Sequence, residues 1–483
     1  MSEDNKLYSE NMIYIEDIVD SMRKNSFTFF CGSGATADAT GATWTDLFKK
    51  ELEVIDKEES DCYRLAQYYE QHFGREKLIN HITNIFSRKN ESKHINALLQ
   101  LPVYEFWTTN YDKIIENTIE NKTNLLPSII YNSQNLVKIN ENKKYKVFKM
   151  NGSISDSRSM VVTSNDYSNY KKSQCVLIEF FKRELILKSF LFIGYSFKDN
   201  LVLSCLDEIK DCFPNLDHFH YRIDVTNEKH KTYQKIEKEY FEKNYNIRTI
   251  YVDSFEQIDT LINMIYKKFK SKNIFISGSF RDIGKKEDLA NEICKSIVEN
   301  LLDNDFNIYS GDGKRLGSYV ISNATKKLMD LTSTYQHNRL TIMPYIDHTF
   351  KHKDAFDGKR TSLVDKMIKD CSIAIFLYGQ NEEGKASKGV ELEYKRAKEN
   401  SLYTIPIPTT GFAAEKIYND LITNDKPWYL DKYYKKLETA NNPDDISKII
   451  LSALSSFSLS LVTIHSSPRY CKAFSTLLRF PAS

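Results

Sequence analysis

Several polar side chains that could handle a ribose follow apolar runs of this sequence. Asn110 and Asp112 come just after the run Val103–Trp107, and Asn151 follows the run Lys146–Met150. An asparagine side chain offers one acceptor and two donors, so Asn110 could hold a ribose hydroxyl, or a water molecule beside an anomeric carbon. For Asp112 an equally strong interpretation is that it caps the helix predicted to follow it.

Two further apolar runs end in small-residue turns that could bind phosphate. The first turn is Cys31–Gly32–Ser33–Gly34–Ala35, and the second is Ser277–Gly278–Ser279. A strand that ends in such a turn and leads into a helix presents backbone N–H groups to an anion. Glycine also lets the backbone approach a pyrophosphate without a clashing Cβ. One turn alone is more often ordinary turn chemistry, but two of them indicate two nucleotide-binding domains.

Strands that alternate with helices must position these residues, which predicts parallel α/β sheets. Open sheets of this kind bind ligands at the carboxyl ends of their strands, where the turns above fall. We predict domains at 1–272 and 273–456, and at 457–483 an atypical tail that is either disordered or non-native. The predicted strands are 27–31, 103–107, 128–131, 146–150, 188–193, 221–225, 248–252, 273–277, 305–309, 339–343, 372–378 and 402–407. Residues 61–100, which have few glycines or prolines, are predicted to be helical throughout, and 171–186 and 199–210 are predicted helices between strands.

The composition narrows the class of protein. The 483 residues carry a net charge of +2, which argues against nucleic acid or an anionic membrane as a partner. The eight cysteines form no CxxC pair, so we expect neither a metal site nor a disulfide framework. A polar N-terminus and the lack of a bilayer-length apolar run favour a cytoplasmic location.

The order of motifs in residues 12–270 resembles the bacterial sirtuin-like domains. The motifs read GSGA, TTNYD, KxxGS, TSNDY and FIGYSFxD along the chain. The resemblance implies that NAD+ is the substrate, with Asn110 beside the nicotinamide ribose. Because it lacks a zinc-binding cysteine quartet, the sequence resembles the branch of the family that hydrolyses NAD+ and not the protein deacetylases. The NAD+-binding residues that the resemblance implies are Gly32, Ser33, Gly34, Ala35, Thr109, Asp112, Gly194 and Ser196.

Asn151 departs from this pattern, because the family usually has a histidine there. Asparagine cannot exchange a proton near neutral pH, and a general base is worth about 10²–10⁴-fold in rate. Three interpretations stay open. The residue is an engineered inactivating change, or it is natural in an enzyme that relies on Asn110, or the domain binds NAD+ without cleaving it. Asn110 and Asn151 are the two predicted catalytic positions.

Residues 273–455 resemble a SLOG domain, a Rossmann-type fold that binds nucleotide-derived ligands. The signal-binding residues that we predict are Ser277, Gly278, Ser279, Arg281, Arg360, Lys388 and Glu391, with Glu393 as the alternative to Glu391. A sirtuin-like domain followed by SLOG resembles the Thoeris antiphage effectors. That resemblance implies activation by a cyclic ADP-ribose isomer made by a TIR-domain protein. It also implies assembly into a homotetramer or a filament.

Two other functions remain open. The chain could be a non-catalytic NAD+ or ADP-ribose sensor that scaffolds assembly, which Asn151 motivates. Its SLOG domain could instead be a phosphoribohydrolase, for which Glu391 is the candidate carboxylate. The fold class is the same in each case: α/β, with two Rossmann-like parallel-sheet domains.

Overall fold

The chain divides into two compact units, residues 2–266 and residues 267 onward. Each unit has its own parallel sheet, which confirms the predicted α/β class with two Rossmann-like domains. The computed structural model describes residues 3–41, 61–87, 91–140, 142–197, 200–213, 216–281, 284–311, 315–330, 339–343, 363–424 and 427–463.

A seven-stranded parallel sheet forms the centre of the first unit. Its strands are β1 (Phe27–Cys31), β2 (Glu105–Thr108), β3 (Ser128–Ile130), β4 (Lys146–Lys149), β5 (Ser189–Ile193), β6 (His220–Val225) and β7 (Ile247–Val252). They lie in the order β3-β4-β2-β1-β5-β6-β7, and the sequence predicts all seven. Every residue of β1 and β5 is buried, because helices cover both faces of a parallel sheet.

Aromatic side chains fill the core beside this sheet. Trp107 stacks on Phe148 with ring centroids 4.1 Å apart and an interplanar angle of 9°. Phe181 and Phe190, from a helix and from β5, pack on the same cluster. Rings of this size bury a large apolar area where β1, β2, β4 and β5 lie side by side. This packing holds in place the four strands whose ends carry the candidate site.

The helices of the first unit differ from the sequence prediction in two places. The segment 61–100, predicted to be helical throughout, is broken at Gly74, which has φ +88°, and again before Ser92, which caps a new helix. A single helix predicted at 171–186 is two helices that meet at Gln174. The helices are Glu3–Arg23, Ala37–Thr40, Cys62–Phe73, Arg75–Phe86, Lys93–Leu98, Ile114–Thr123, Ser133–Val137, Ser164–Ser173, Cys175–Leu187, Asn200–Cys212, Lys231–Tyr245 and Glu256–Lys270.

The second unit contains a five-stranded parallel sheet. Its strands are β8 (Asn273–Ser279), β9 (Asn307–Gly311), β10 (Leu340–Met343), β11 (Ile373–Tyr378) and β12 (Tyr403–Pro406). They lie in the order β10-β9-β8-β11-β12, and the sequence predicts each of them. The central strands β8 and β11 pair along six residues, from Ile274 with Ile373 to Ser279 with Tyr378.

Helices surround this second sheet as well. They are Glu287–Asp303, Leu316–Asp330, residues 363–369, Lys388–Glu399, Phe412–Asn424, Tyr434–Thr439 and Pro443–Thr463. The last helix runs into the predicted tail at 457–483, and residues 464–483 lie outside the described part of the chain. Within the described residues, each helix is too short or too polar to cross a bilayer.

Candidate functional site

The candidate site of the first unit lies at the topological switch point of the sheet, between β1 and β5. Strands β2, β3 and β4 are added on one side of β1, and strands β5, β6 and β7 on the other. Strand β1 pairs with β2 on one side and with β5 on the other, so the loops after β1 and β5 leave a crevice at their carboxyl ends. The two loops are hydrogen-bonded to each other. Gly32 N–H donates to Ile193 O at 2.9 Å, and Gly34 N–H donates to Gly194 O at 2.9 Å.

The glycines of these loops are required by the contact between the loops themselves. A Cβ on Gly32 would lie 2.4 Å from Gly194 O, and a Cβ on Gly194 would lie 2.2 Å from Ala35 N. Gly194 also has φ +60°, which favours glycine. The sequence suggests close approach to a ligand as the reason for these residues, and the structure adds close approach of one loop to the other. Ser33 and Gly34 remain partly exposed.

Asn110 is the central polar residue of the crevice. Its side-chain Nδ2 donates to Gly32 O at 3.0 Å and to Thr36 Oγ1 at 3.1 Å. Its backbone N–H donates to Thr108 Oγ1, which itself donates to Cys31 O. Both donors of the carboxamide are therefore used inside the protein. Among the described residues no group donates to Asn110 Oδ1, so the acceptor end is the one available to a ligand.

Asp112 is buried, with its carboxylate turned into the protein. Thr36 Oγ1 donates to Asp112 Oδ2 at 3.0 Å, and Ile114 N–H donates to Asp112 Oδ1 at 2.9 Å. The second bond joins Asp112 to the first amide of the helix Ile114–Thr123, although the N-cap position itself is occupied by Lys113. Burial raises the pKa of the Asp112 carboxyl above its usual range, and the nearby charge of Lys149 opposes that rise.

Lys149 and Glu116 form a buried ion pair under the loop that carries Asn110. Lys149 Nζ lies 2.9 Å from Glu116 Oε1 and also donates to the backbone oxygen of Asp112. Both side chains are almost completely buried. No motif in the sequence points to this pair, although a lysine inside the apolar run of β4 is a signal that a charged partner is near.

The other predicted residues of this site lie along the same edge of the sheet. Met150 N–H donates to Thr108 O at 2.7 Å, which places Asn151 beside the end of β2. Asn151 is buried, and its backbone oxygen accepts from Val161 N–H at 3.0 Å. Thr109 is half-buried, and Ser196 is exposed in the loop after β5. Direct contacts join Gly32, Gly34, Ala35, Asn110 and Gly194, and Asp112 is joined to them through Thr36.

The second unit has a corresponding crevice between β8 and β11. A Cβ on Gly278 would lie 2.1 Å from Leu377 O, so this glycine is required by the pairing of the two strands. Ser279 O accepts from Gly379 N–H at 3.0 Å and from Gln380 N–H at 2.7 Å. The predicted residues Ser277 and Ser279 therefore lie at the switch point of this sheet.

The two candidate glutamates of the second unit have different surroundings. Ser277 Oγ donates to Glu393 Oε2 at 2.5 Å, whereas Glu391 Oε1 pairs with Lys416 Nζ at 3.0 Å on an exposed surface. The alternative residue Glu393 is thus the one that the structure places against Ser277. Arg281 and Lys388 have exposed side chains. Arg360 lies outside the described residues.

In the part of the chain that the structure describes, no three or more His, Cys, Asp or Glu side chains are grouped so that they could hold a metal ion. The polar groups of the first crevice are amide and hydroxyl groups around one buried carboxylate, which suits a ligand held by hydrogen bonds.

Known protein families match the two units separately. A family described as the Sir2- and TIR-associating SLOG family matches residues 257–457, and the SIR2-like domain matches residues 104–250. The chain joins a SIR2-like domain to a SLOG domain. This is the domain pair of the Thoeris effectors, so the predicted resemblance is confirmed. Asn110, Asn151 and Gly194 lie inside the SIR2-like match, and the Gly32 turn precedes it.

Curated relatives match most of the chain. The chain is 26% identical to the NAD(+) hydrolase ThsA of Bacillus cereus (strain MSX-D12) over 457 residues, covering 90% of this chain and 95% of that protein. It is 27% identical to the NAD(+) hydrolase ThsA of Acinetobacter baumannii (strain 532279) over 469 residues, covering 90% and 96%. The protein of the same name from Enterococcus faecium is 25% identical over 467 residues.

Proposed function

We propose that this chain is an antiphage effector that hydrolyses NAD+ to ADP-ribose and nicotinamide. Its SIR2-like and SLOG domains and its whole-length relatives, which are named NAD(+) hydrolases, support the proposal. The single observation that carries it is the orientation of Asn110. Its two donors are held by Gly32 O and Thr36 Oγ1, and its acceptor oxygen is left for a hydroxyl at the switch point of the sheet.

The reaction asks little of the protein, because the N-glycosidic bond to a cationic nicotinamide is already activated. Water adds to the anomeric carbon, the carbon–nitrogen bond breaks, nicotinamide leaves with the electron pair, and the proton of the water passes to solvent. The site has to bind NAD+, stabilise an oxocarbenium-like ribose and position the water. Asn110 Oδ1 would accept from the water or from a ribose hydroxyl as positive charge develops on the ring.

The turn after β1 would bind the pyrophosphate. Gly32, Gly34 and Ala35 donate their amides to backbone oxygens inside the protein. Among the described residues Ser33 N–H has no acceptor, and Ser33 is partly exposed, so this amide is the donor available to a phosphate oxygen. An amide at the start of a short helical turn suits an anion.

Nicotinamide release from NAD+ tests the proposal, with Asn110→Ala as the diagnostic variant. We expect the activated wild-type protein to release nicotinamide and Asn110→Ala to lose at least about 100-fold in kcat, as expected for removal of a group that stabilises the transition state. Asn169→Ala is the matched control, because Asn169 is exposed on the helix Ser164–Ser173. Equal rates for Asn110→Ala and the control would contradict the role of Asn110.

The SLOG domain would bind the activating signal, a cyclic ADP-ribose isomer produced by a TIR-domain protein in the same cytoplasm. The Ser277–Glu393 contact at the second switch point supports a ligand site there, since a partly buried carboxylate can accept from ribose hydroxyls. The signal must bind the active arrangement more tightly than the resting one, because equal affinity shifts no population. The active form would be a homo-oligomer, either a tetramer or a filament.

A second function is favoured by Asn151, which stands where the sirtuin-like pattern has histidine. Without a titrating group there, the first unit would bind NAD+ or ADP-ribose as a sensor and not turn it over. Calorimetry with NAD+, paired with nicotinamide release by the wild type and by Asn151→His, separates the two functions. Binding without release in the wild type, and release in Asn151→His, would favour the sensor. Release by the wild type at a rate near that of Asn151→His would exclude it.

A further inference from the structure

A cavity of about 260 Å³ opens at the edge of the first sheet that is opposite to the candidate NAD+ site. It lies at the amino ends of β1, β2, β4 and β5, whereas the crevice of Asn110 lies at their carboxyl ends. Strands of this length place about 15 Å between the two edges. We name it the basic cavity, and its charged lining is Glu105, Lys143, Lys144, Lys146 and Lys188.

Two of the four lysines are balanced by carboxylates. Lys188 pairs with Glu105 and lies 2.7 Å from Glu184, and Lys146 lies 4.0 Å from the other oxygen of Glu105. Burial opposes the charge of Lys188, but these carboxylates outweigh it and raise the pKa of the amine above its usual range. Lys188 is therefore a fixed positive charge in the wall of the cavity.

The other two lysines contact neutral groups. Lys143 Nζ donates to Pro127 O at 3.0 Å, and Lys144 Nζ lies 4.1 Å above the ring of Tyr104. Within the described ranges neither amine forms an ion pair, so their two charges are not balanced by protein carboxylates there. A concave site with uncompensated positive charge attracts an anion.

Apart from Asn25, the rest of the lining is apolar or aromatic. Met22, Phe27 and Val103 contribute to it, and the ring of Tyr104 is 36% exposed. An apolar and aromatic wall beside charged amines suits a ligand with an anionic group on a planar body. The volume is just under the range of about 300–1,000 Å³ that is usual for ligand pockets, so the ligand is small.

We propose that the basic cavity binds a small phosphomonoester that carries a planar ring, of about the size of a nucleoside monophosphate. Ammonium groups act as point charges toward phosphate oxygens, and Lys143 and Lys144 are the two that have charge to offer. The planar ring of the ligand would pack against the side chain of Tyr104. This site is independent of the proposed hydrolysis, because it uses none of the residues of the Asn110 crevice.

Calorimetry with AMP, adenosine and inorganic phosphate tests the ligand class on the full-length protein. We expect AMP to bind more tightly than inorganic phosphate, and adenosine not to bind at this site. The double variant Lys143→Ala/Lys144→Ala should weaken this AMP binding at least about tenfold, since each lost contact is a hydrogen bond to a charged group. Lys171→Ala is the matched control, because Lys171 is an exposed lysine that pairs with Glu208.

Hydrogen exchange locates the binding and separates it from the two nucleotide crevices. We expect AMP to protect residues 102–107 and 143–147 in the wild type and not in the double variant, with unchanged melting temperatures. AMP affinity that is unaffected by the double substitution would overturn the proposal. So would protection confined to the crevice loops, inorganic phosphate binding as tightly as AMP, or no protection of these segments at about 10 mM AMP, where a millimolar site fills.

Discussion

Thr36 determines how Asn110 is held, because its hydroxyl links the asparagine to Asp112. Thr36 Oγ1 accepts from Asn110 Nδ2 at 3.1 Å and donates to Asp112 Oδ2 at 3.0 Å. The hydroxyl can serve both partners only in this direction, since the carboxylate has no proton to give when it is ionised. Asn110 therefore donates to Thr36, and Thr36 donates to the buried carboxylate of Asp112. The oxygen of the asparagine side chain is left for a ligand in the crevice.

Replacing this hydroxyl should reduce turnover without removing the side-chain volume. We expect Thr36→Val to lower kcat for nicotinamide release about tenfold, which corresponds to about 1.4 kcal/mol, because Asn110 loses one of the two bonds that orient it. Thr36→Ser keeps the hydroxyl and should keep most of the activity. A kcat for Thr36→Val equal to that of Thr36→Ser would show that the hydroxyl does not orient Asn110.

Residue types and strand ends predict which residues approach the site, but not how each one is used. Asn110 and Asp112 are two residues apart, and the chain turns one toward the crevice and the other into the core. Glu391 and Glu393 are also two apart, and positions i and i+2 of a helix do not share a face. Which of them meets Ser277 depends on the rotation of the helix against the sheet, and helical spacing alone does not give that rotation.

At the level of elements, all twelve strands in the described part of the chain are predictable, because they are short runs rich in apolar and aromatic residues that alternate with helical segments. Helix limits are less predictable. Gly74 looks like any glycine within a helical pattern, yet it adopts φ +88° and ends the helix Cys62–Phe73. The interlock of Gly32 with Gly194 joins loops that are far apart in the chain, so no local pattern reveals it.

The interlock of the two loops makes Gly194 a sensitive position. Gly194→Ala places a methyl group against Ala35 N, while Gly74→Ala, at a φ of +88° that is also positive, meets nothing within 4 Å. We expect Gly74→Ala to cost about 1–3 kcal/mol of stability from backbone strain alone, because Gly74 combines φ +88° with ψ +156°. Gly194→Ala should cost about 2 kcal/mol more, because the loops must separate, and should abolish NAD+ binding. Similar melting temperatures and NAD+ affinities for the two variants would contradict the interlock.

The helices Lys93–Leu98 and Glu256–Lys270 are joined by a pH-sensitive contact. His94 Nδ1 lies 2.7 Å from Asp259 Oδ1, and the charges of Asp38 and Glu256 are also near. Burial lowers the pKa of His94, but the hydrogen bond and the charge of Asp259 outweigh it, so the pKa in the folded state is raised. The contact therefore stabilises the fold fully below the unfolded-state pKa of about 6.5, and this stability is lost as the pH rises through the higher folded-state pKa.

Thermal unfolding over about pH 6–9 measures this contribution. We expect the first unit of the wild type to lose more stability over this range than His94→Gln, which has no titrating ring. Asp259→Asn should also lose the fall in stability with rising pH, because it removes the partner that raises the pKa of His94 and leaves the burial that lowers it. Parallel pH profiles for the wild type and both variants would show that the pair contributes nothing.

At the scale of the whole molecule, each unit has a complete sheet and core of its own, so a signal in one unit can control the other only through a coupling free energy. A signal bound near Ser277 and an NAD+ analogue bound near Asn110 would then be linked thermodynamically. If the signal changes the affinity for the analogue by some factor, the analogue must change the affinity for the signal by the same factor. Gating by population shift predicts that this factor differs from one.

Calorimetry with a non-hydrolysable NAD+ analogue and a cyclic ADP-ribose isomer measures both directions of this linkage. We expect each ligand to tighten the binding of the other by about 5–150-fold, the usual range of a coupling free energy of about 1–3 kcal/mol. Glu393→Gln should weaken the binding of the signal, since it alters the partner of Ser277. At a fixed signal concentration, the affinity for the NAD+ analogue should then increase less. Thr36→Val should change turnover, but the affinity for the signal measured without the NAD+ analogue should stay the same, because Thr36 lies in the first unit. Affinities that do not depend on the other ligand would exclude gating by population shift, and the signal would then have to act on a step after binding.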